Sequence, residues 1–187
     1  MSSTVAEPLS LERLVEGFGC QRLPWWRAQG LAEARQEEHP PRPWPLLPPG
    51  WGRGGVGEAH ALLEGEGGLW ARCDWIVRGG THCHLILLGE PTPTLKLKLR
   101  LLGALWQAEH GEKPLLWCQP LCGAPAAWCA QWPSVLRVCG EPVGVGLLQA
   151  KVREIRAILE RPWPPEGTAP LGRCWDCPGF CFCGDRG

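Results

Sequence analysis

The C-terminal stretch RCWDCPGFCFCGDRG places Cys174, Cys177, Cys181 and Cys183 within ten residues. In a C-x2-C pair the short turn aims both sulfurs at one point, so two thiolates can share a metal, and a third cysteine six residues on completes a face. All four could bind Zn2+ from this segment alone. Three of them plus a distant fourth could instead hold an iron-sulfur cluster, which requires the fold to deliver the fourth. Cys73, Cys83, Cys118, Cys122, Cys129 and Cys139 lie in or beside apolar strands and loops and read as packed core thiols. Cys20 differs in its setting: it ends a short helical segment and precedes Arg22, Trp25, Trp26 and Arg27. Such a group can stack on and grip single-stranded DNA, or pack beneath a metal site. His82 and His84 share one face of an alternating strand, where a small metal site with Asp74 is conceivable. Gly52 to Gly57 spells G-x-G-x-x-G, but the preceding PWPLLPPGW cannot form the buried strand that a dinucleotide loop needs.

The elements that must position these residues follow from periodicity. Ser10 caps a predicted helix to Gly19 with Leu11, Leu14, Val15 and Phe18 at helical spacing, and a polar helical stretch follows Arg27 to about residue 38. Six prolines from His39 to Trp51 predict a loop. EAHALLE, Glu58 to Glu64, predicts a helix. Leu69 to Val77 and His82 to Leu88 predict two strands joined across Arg78-Gly79-Gly80. Leu95 to His110 fits a helix, though LKLKLRL also fits a strand. Leu115 to Pro120 and Trp132 to Cys139 predict two more strands, and Val145 to Leu159 a helix with Leu148, Val152, Ile155, Ile158 and Leu159 on one face. This order predicts an α/β class, with α+β as the alternative, on one central mixed sheet flanked by helices.

Composition narrows the classes. At 187 residues and 44% hydrophobic the chain can bury one core. Lys plus Arg equals Asp plus Glu at 19 each, so any contact with nucleic acid must be a local patch rather than a whole-molecule attraction. The abundance of Trp, Gly and Pro beside an absence of Tyr reads as coding bias. No run approaches the roughly 18 apolar residues of a membrane span, and MSSTVAEPLSLER lacks a signal-peptide core, which predicts a cytoplasmic protein. In that reducing setting an odd total of 11 cysteines predicts ligands and thiols rather than a disulfide framework.

SLERLVEGFGCQR, a capped helix running into a cysteine, resembles the opening of RecB-type PD-(D/E)XK nucleases that carry an iron-sulfur cluster. VREIRAILERPWPPEG followed by CWDCPGFCFCG resembles their close: a helix, a Pro-rich connection, then C-x2-C-x5-C. AddB-type helicase-nuclease subunits and the exonucleases of CRISPR adaptation share it. The resemblance implies a single RecB-like domain over 1–187, with N-terminal helices and a Pro-rich linker in 1–50, a PD-(D/E)XK core in 51–165 and a Cys-rich tail in 166–187. It implies Cys20, Cys174, Cys177 and Cys183 as ligands of a [4Fe-4S] cluster, with Cys181 spare. GEAHALLEG resembles the family's histidine-bearing helix, giving His60, and WARCDWIV its strand ending in the first metal-binding acid, giving Asp74. HLILLGEPTPT stands where an acid, any residue, then lysine belongs; Glu90 supplies an acid, but Thr92 replaces the lysine. The implied catalytic and metal-binding set is therefore His60, Asp74 and Glu90, holding Mg2+ or Mn2+ that activates water against a phosphodiester. Lys96 or Lys98 would be the relocated amine. The implied partners are DNA, single-stranded above all, and a helicase or nuclease subunit, in DNA processing or repair with reduced or absent cleavage. The competing reading is a non-catalytic interaction module whose tail cysteines bind Zn2+.

Overall fold

The computed structural model of the chain describes residues 8–30, 56–79, 82–119 and 137–166. It has an α/β fold built on a six-stranded mixed sheet. Contacts divide the chain into two compact units, Met1–Leu11 with Pro43–Leu148, and Glu12–Arg42 with Gln149–Gly187. Each unit joins pieces from distant parts of the chain.

The first unit holds the sheet. Strand β3 (Leu69–Gly79) is its centre: β2 (Val56–Gly65) lies antiparallel along it from Val56↔Arg78 to Gly65↔Leu69. Along β3 there also run β1 (Leu9–Ser10), parallel to its start, and β4 (His82–Leu88), antiparallel to its end. Strand β5 (Leu115–Gln119) joins β4 in parallel, and β6 (Arg137–Val138) joins β5 antiparallel.

The helix expected over Glu58 to Glu64 is instead the middle of β2. Local helix propensity is worth tenths of a kcal/mol per residue, and the ladder to β3 outweighs it. The overlooked signal is the EGEGG cluster: Gly67 and Gly68 take positive φ (74° and 68°) in the one-turn 3-10 segment Glu66–Gly68 that reverses the chain into β3.

Helix α3 (Pro93–His110) resolves the ambiguity of LKLKLRL. Thr92 is its N-cap, with Oγ1 accepting from Leu95 N–H at 3.2 Å, Pro93 opens the first turn, and Gly111 closes it with φ 74°. Leu99 and the run Leu101 to Trp106 are buried, and Gly103 lets α3 lie close on the sheet: a Cβ there would stand 2.9 Å from Leu116 Cδ2. Trp106 is 1% exposed, donates through Nε1 to Glu112, and carries the Arg78 guanidinium 4.9 Å from its ring centre. Register puts Arg78, Ile76, Leu85 and Leu116 on this covered face.

Helix α4 (Val145–Leu159) forms over the predicted range and carries the chain from the first unit into the second, burying Leu148, Val152, Ile155 and Ile158. In the second unit α1 (Leu11–Gly19) packs on α4 through Gly17, whose missing side chain makes room for Ile155. Helix α2 (Arg22–Ala28) follows, and Arg27 pairs with Glu16 at 2.9 Å. No helix among the described residues is long and apolar enough to cross a membrane.

Candidate functional site

The sequence points to two sets of residues. Cys20 occupies the junction between α1 and α2, half-buried and free, with its N–H bonded to Glu16 O at 2.8 Å and its carbonyl accepting from Leu23 N–H. The residues around this junction fasten it to α4 and to the chain that follows it. Gln21 Nε2 donates to Glu154 at 2.6 Å, Trp25 Nε1 to Arg161 O at 2.9 Å, and Arg22 Nε to Pro165 O at 2.6 Å. Cys174, Cys177, Cys181 and Cys183 lie outside the described residues, as do Cys122 and Cys129.

These bonds also engage part of the Trp/Arg group. Trp25 is 7% exposed, sits edge-on to Trp26 at 4.9 Å, and is committed to Arg161, while Arg27 is paired with Glu16. Both are framework. Among the described residues the tryptophan offered to solvent is Trp163, 77% exposed, between Pro162 and Pro164 and between the two carbonyls held by Trp25 and Arg22. Its flanking prolines were the available signal.

The second set is spread over β2, β3 and the turn after β4. Asp74 is buried at 7% exposure, and its Oδ2 accepts from Leu88 N–H at 2.7 Å. A charge-assisted bond of this kind ties β3 to β4 beyond their last register pair, Trp75↔Ile86. The β2 register, Ala59↔Trp75 and Ala61↔Cys73, brings position 60 across from Asp74, so His60 is on a strand, not the expected helix; its side chain lies outside the described residues. Gly89 turns the chain away with φ 144° while its N–H reaches Gln119 O at 2.7 Å. Glu90 follows, exposed, with its carbonyl accepting from Thr92 N–H. Thr92, in the place expected for a lysine, is spent as the cap of α3. Lys96 and Lys98 lie in the next turns of that helix, exposed and half-buried. Among the described residues no three His, Cys, Asp or Glu side chains form a metal-holding group.

The remaining candidates separate cleanly. His82 and His84 do share a face, as expected, but register pairs His84 with Val77, putting Asp74 on the opposite face of β3; that three-residue site does not form. Instead His84 Nδ1 accepts from Trp117 Nε1 at 3.1 Å, and burial lowers its pKa, with the His82 charge acting in the same direction. Cys73 and Cys83 are the packed thiols expected, each pushed up to about 12 by burial; a nearby charge, Asp74 for Cys73 and Glu112 for Cys83, adds to the rise. Cys118 and Cys139 are not free thiols: they form a disulfide, because β5 and β6 bring them diagonally together across 21 positions of sequence. Gly57 lies within β2 rather than before a helix, which removes the helix terminus a nucleotide loop would need. A shallow apolar hollow lined by Pro8, Leu62, Glu64, Leu69 and Trp70 lies at the β2–β3 turn, and none of the nominated residues lines it.

No family model matches the chain, and no curated protein matches it. A solved structure titled "Crystal structure of SSO0001" is similar at 16% identity, covering 68% of this chain and 60% of that one, with a TM-score of 0.40. The chain thus spans 60% of the length of that protein, and a likeness of this size settles neither fold nor activity.

Proposed function

We propose that this is a DNA-processing protein of RecB-like nuclease build, which holds a [4Fe-4S] cluster through Cys20, Cys174, Cys177 and Cys183 and binds DNA, or supports a partner helicase or nuclease, in the cytoplasm. The observation that carries this reading is the fastening of the Cys20 junction to residues 154–165 by Gln21, Arg22 and Trp25. Pro165 is nine positions before Cys174, a connection of at most about 32 Å when extended. A free, half-buried thiol at such a junction has the chemistry of a cluster ligand, and a cluster bound there would act as a cross-link between chain ends.

The same reading gives the sheet a scaffolding role rather than a cutting one. Phosphodiester hydrolysis needs carboxylates free to hold Mg2+ or Mn2+ and a cation beside the attacking water. Here Asp74 braces Leu88, and Thr92, standing where the lysine is expected, caps α3. Trp163, held out beside exposed Arg161, has the makings of a base-stacking contact.

The test uses the anaerobically purified full chain with a labelled single-stranded oligonucleotide. Anisotropy should show binding that weakens with salt, and Mg2+ or Mn2+ should produce no cleavage. Cleavage that Asp74→Asn abolishes would overturn the non-catalytic part, and absence of binding at low salt would overturn the DNA-binding part.

A further inference from the structure

We propose that the Cys118–Cys139 disulfide is a redox-active latch, which a dithiol reductant opens to release β6 from the edge of the sheet and an oxidised dithiol closes again. The inference does not depend on the cluster or on DNA.

Strand β6 is only Arg137–Val138, paired to β5 at Trp117↔Val138 and Cys118↔Arg137, with one further bond from Cys139 N–H to Leu116 O at 3.0 Å. Among the described residues nothing pairs its outer side: the sheet order ends at β6. Val138 is 67% exposed, so the strand contributes little burial at its own centre. Immediately after Cys139, Gly140 turns with φ 82°, and no atom of the described residues lies within 4 Å of where its side chain would be. The disulfide is therefore the one covalent tie holding a short, open segment to a strand that is otherwise deep in the sheet. Cys118 is 0% exposed and Cys139 5%.

That asymmetry sets the order of events. Fraying of β6 uncovers Cys139 Sγ first, and a thiolate of the reductant attacks it, forming a mixed disulfide and expelling the Cys118 thiolate, which takes up a proton. The second thiol of the reductant then displaces Cys139. Two electrons and two protons pass to the protein, and the reductant leaves as its disulfide. Reduction is felt inward, because Cys118 stands beside Leu87 in register and the next residue, Gln119, accepts the Gly89 N–H. Gly89 adjoins Leu88, the residue braced by Asp74.

The test equilibrates the purified full chain in native buffers that range from oxidised to reduced dithiothreitol, blocks thiols with N-ethylmaleimide, and maps peptides by mass. In the same samples amide exchange is followed at Cys139. The expected result is a 118–139 linked peptide that disappears in one reversible two-electron transition, with exchange at Cys139 rising about tenfold or more on reduction. Cys139→Ser should exchange in both buffers like the reduced parent. A linked peptide that survives full reduction until denaturant is added would make the bond purely structural and overturn the proposal. So would 118 and 139 alkylated separately in the oxidised buffer, linkage of either to Cys122 or Cys129, or unchanged exchange at Cys139.

Discussion

Replacing Gly17 by alanine should destabilise the second unit although it improves the helix. In an exposed helix interior, Gly→Ala gains about 1 kcal/mol from propensity. Here a Cβ would overlap Ile155 Cδ1 and lie 3.1 Å from Ile155 Cγ1, with Pro24 Cγ at an ordinary 3.6 Å. Ile155 is 0% exposed, so its side chain can shift only against packed neighbours. Overpacking at such a site costs about 1–3 kcal/mol, so propensity and packing oppose each other and packing should win by about 1 kcal/mol. The partner mutation sharpens the test. Ile155→Val removes the offending Cδ1 and alone should cost about 0.5–1.5 kcal/mol as a small cavity. In the double variant the new methyl takes the vacated space, so the two effects should fall short of additivity by about 1 kcal/mol. Urea unfolding followed by circular dichroism gives each midpoint, and an unchanged m-value certifies that stability alone moved. Gly17→Ala equal to or more stable than the parent, or strict additivity in the cycle, would refute the close α1–α4 packing.

Three further outcomes follow from single contacts. Thr92→Ala should lower stability by about 1 kcal/mol in urea titration, because Leu95 N–H loses its cap, whereas Thr92→Ser should be near neutral. Asp74→Ala should cost about 2 kcal/mol by leaving the buried Leu88 N–H without its carboxylate acceptor, and Asp74→Asn, which keeps an oxygen, should cost less in the same titration. His84 has a lowered folded pKa, so the unfolded chain takes up its proton first; stability should be complete above the ordinary value of 6.5 and decline as pH falls below it. His84→Gln should flatten that decline in thermal melts measured from pH 7.5 down to about 5, and an unchanged slope would argue against the Trp117–His84 bond.

What the sequence revealed depended on how local the cause was. Strands β3 and β4 and helix α4 announce themselves by apolar runs and spacing, and their packing agrees with those patterns. Helix α3 was ambiguous in its leucines and lysines, yet Thr92-Pro93 before it and Gly111 after it carry the decision. Strand β2 was misread because EAHALLE is helical on its own, and only the long ladder to β3 and the glycine turn reverse that preference. Strand β1 is two residues defined wholly by a distant parallel partner, which no periodicity can reveal. The same holds for the disulfide, since nothing near Cys118 says that β6 will lie beside it. Among the site residues, Asp74 was reached through resemblance, as a metal-binding acid on a strand, whereas its bond to Leu88, which braces the sheet, depends on a neighbouring strand. Trp25 and Trp26 drew attention as aromatics among arginines, whereas exposure, which sequence cannot give, singles out Trp163.

The central claim is that Cys20 and the tail cysteines share one inorganic centre. Iron and acid-labile sulfide analysis of anaerobically purified protein, read with its visible spectrum and repeated on Cys20→Ala, addresses it directly. The parent should be brown, with broad absorbance near about 400 nm and iron and sulfide in equal amounts, and Cys20→Ala should lose both colour and iron. A colourless parent containing zinc whose metal content is indifferent to Cys20→Ala would contradict the account.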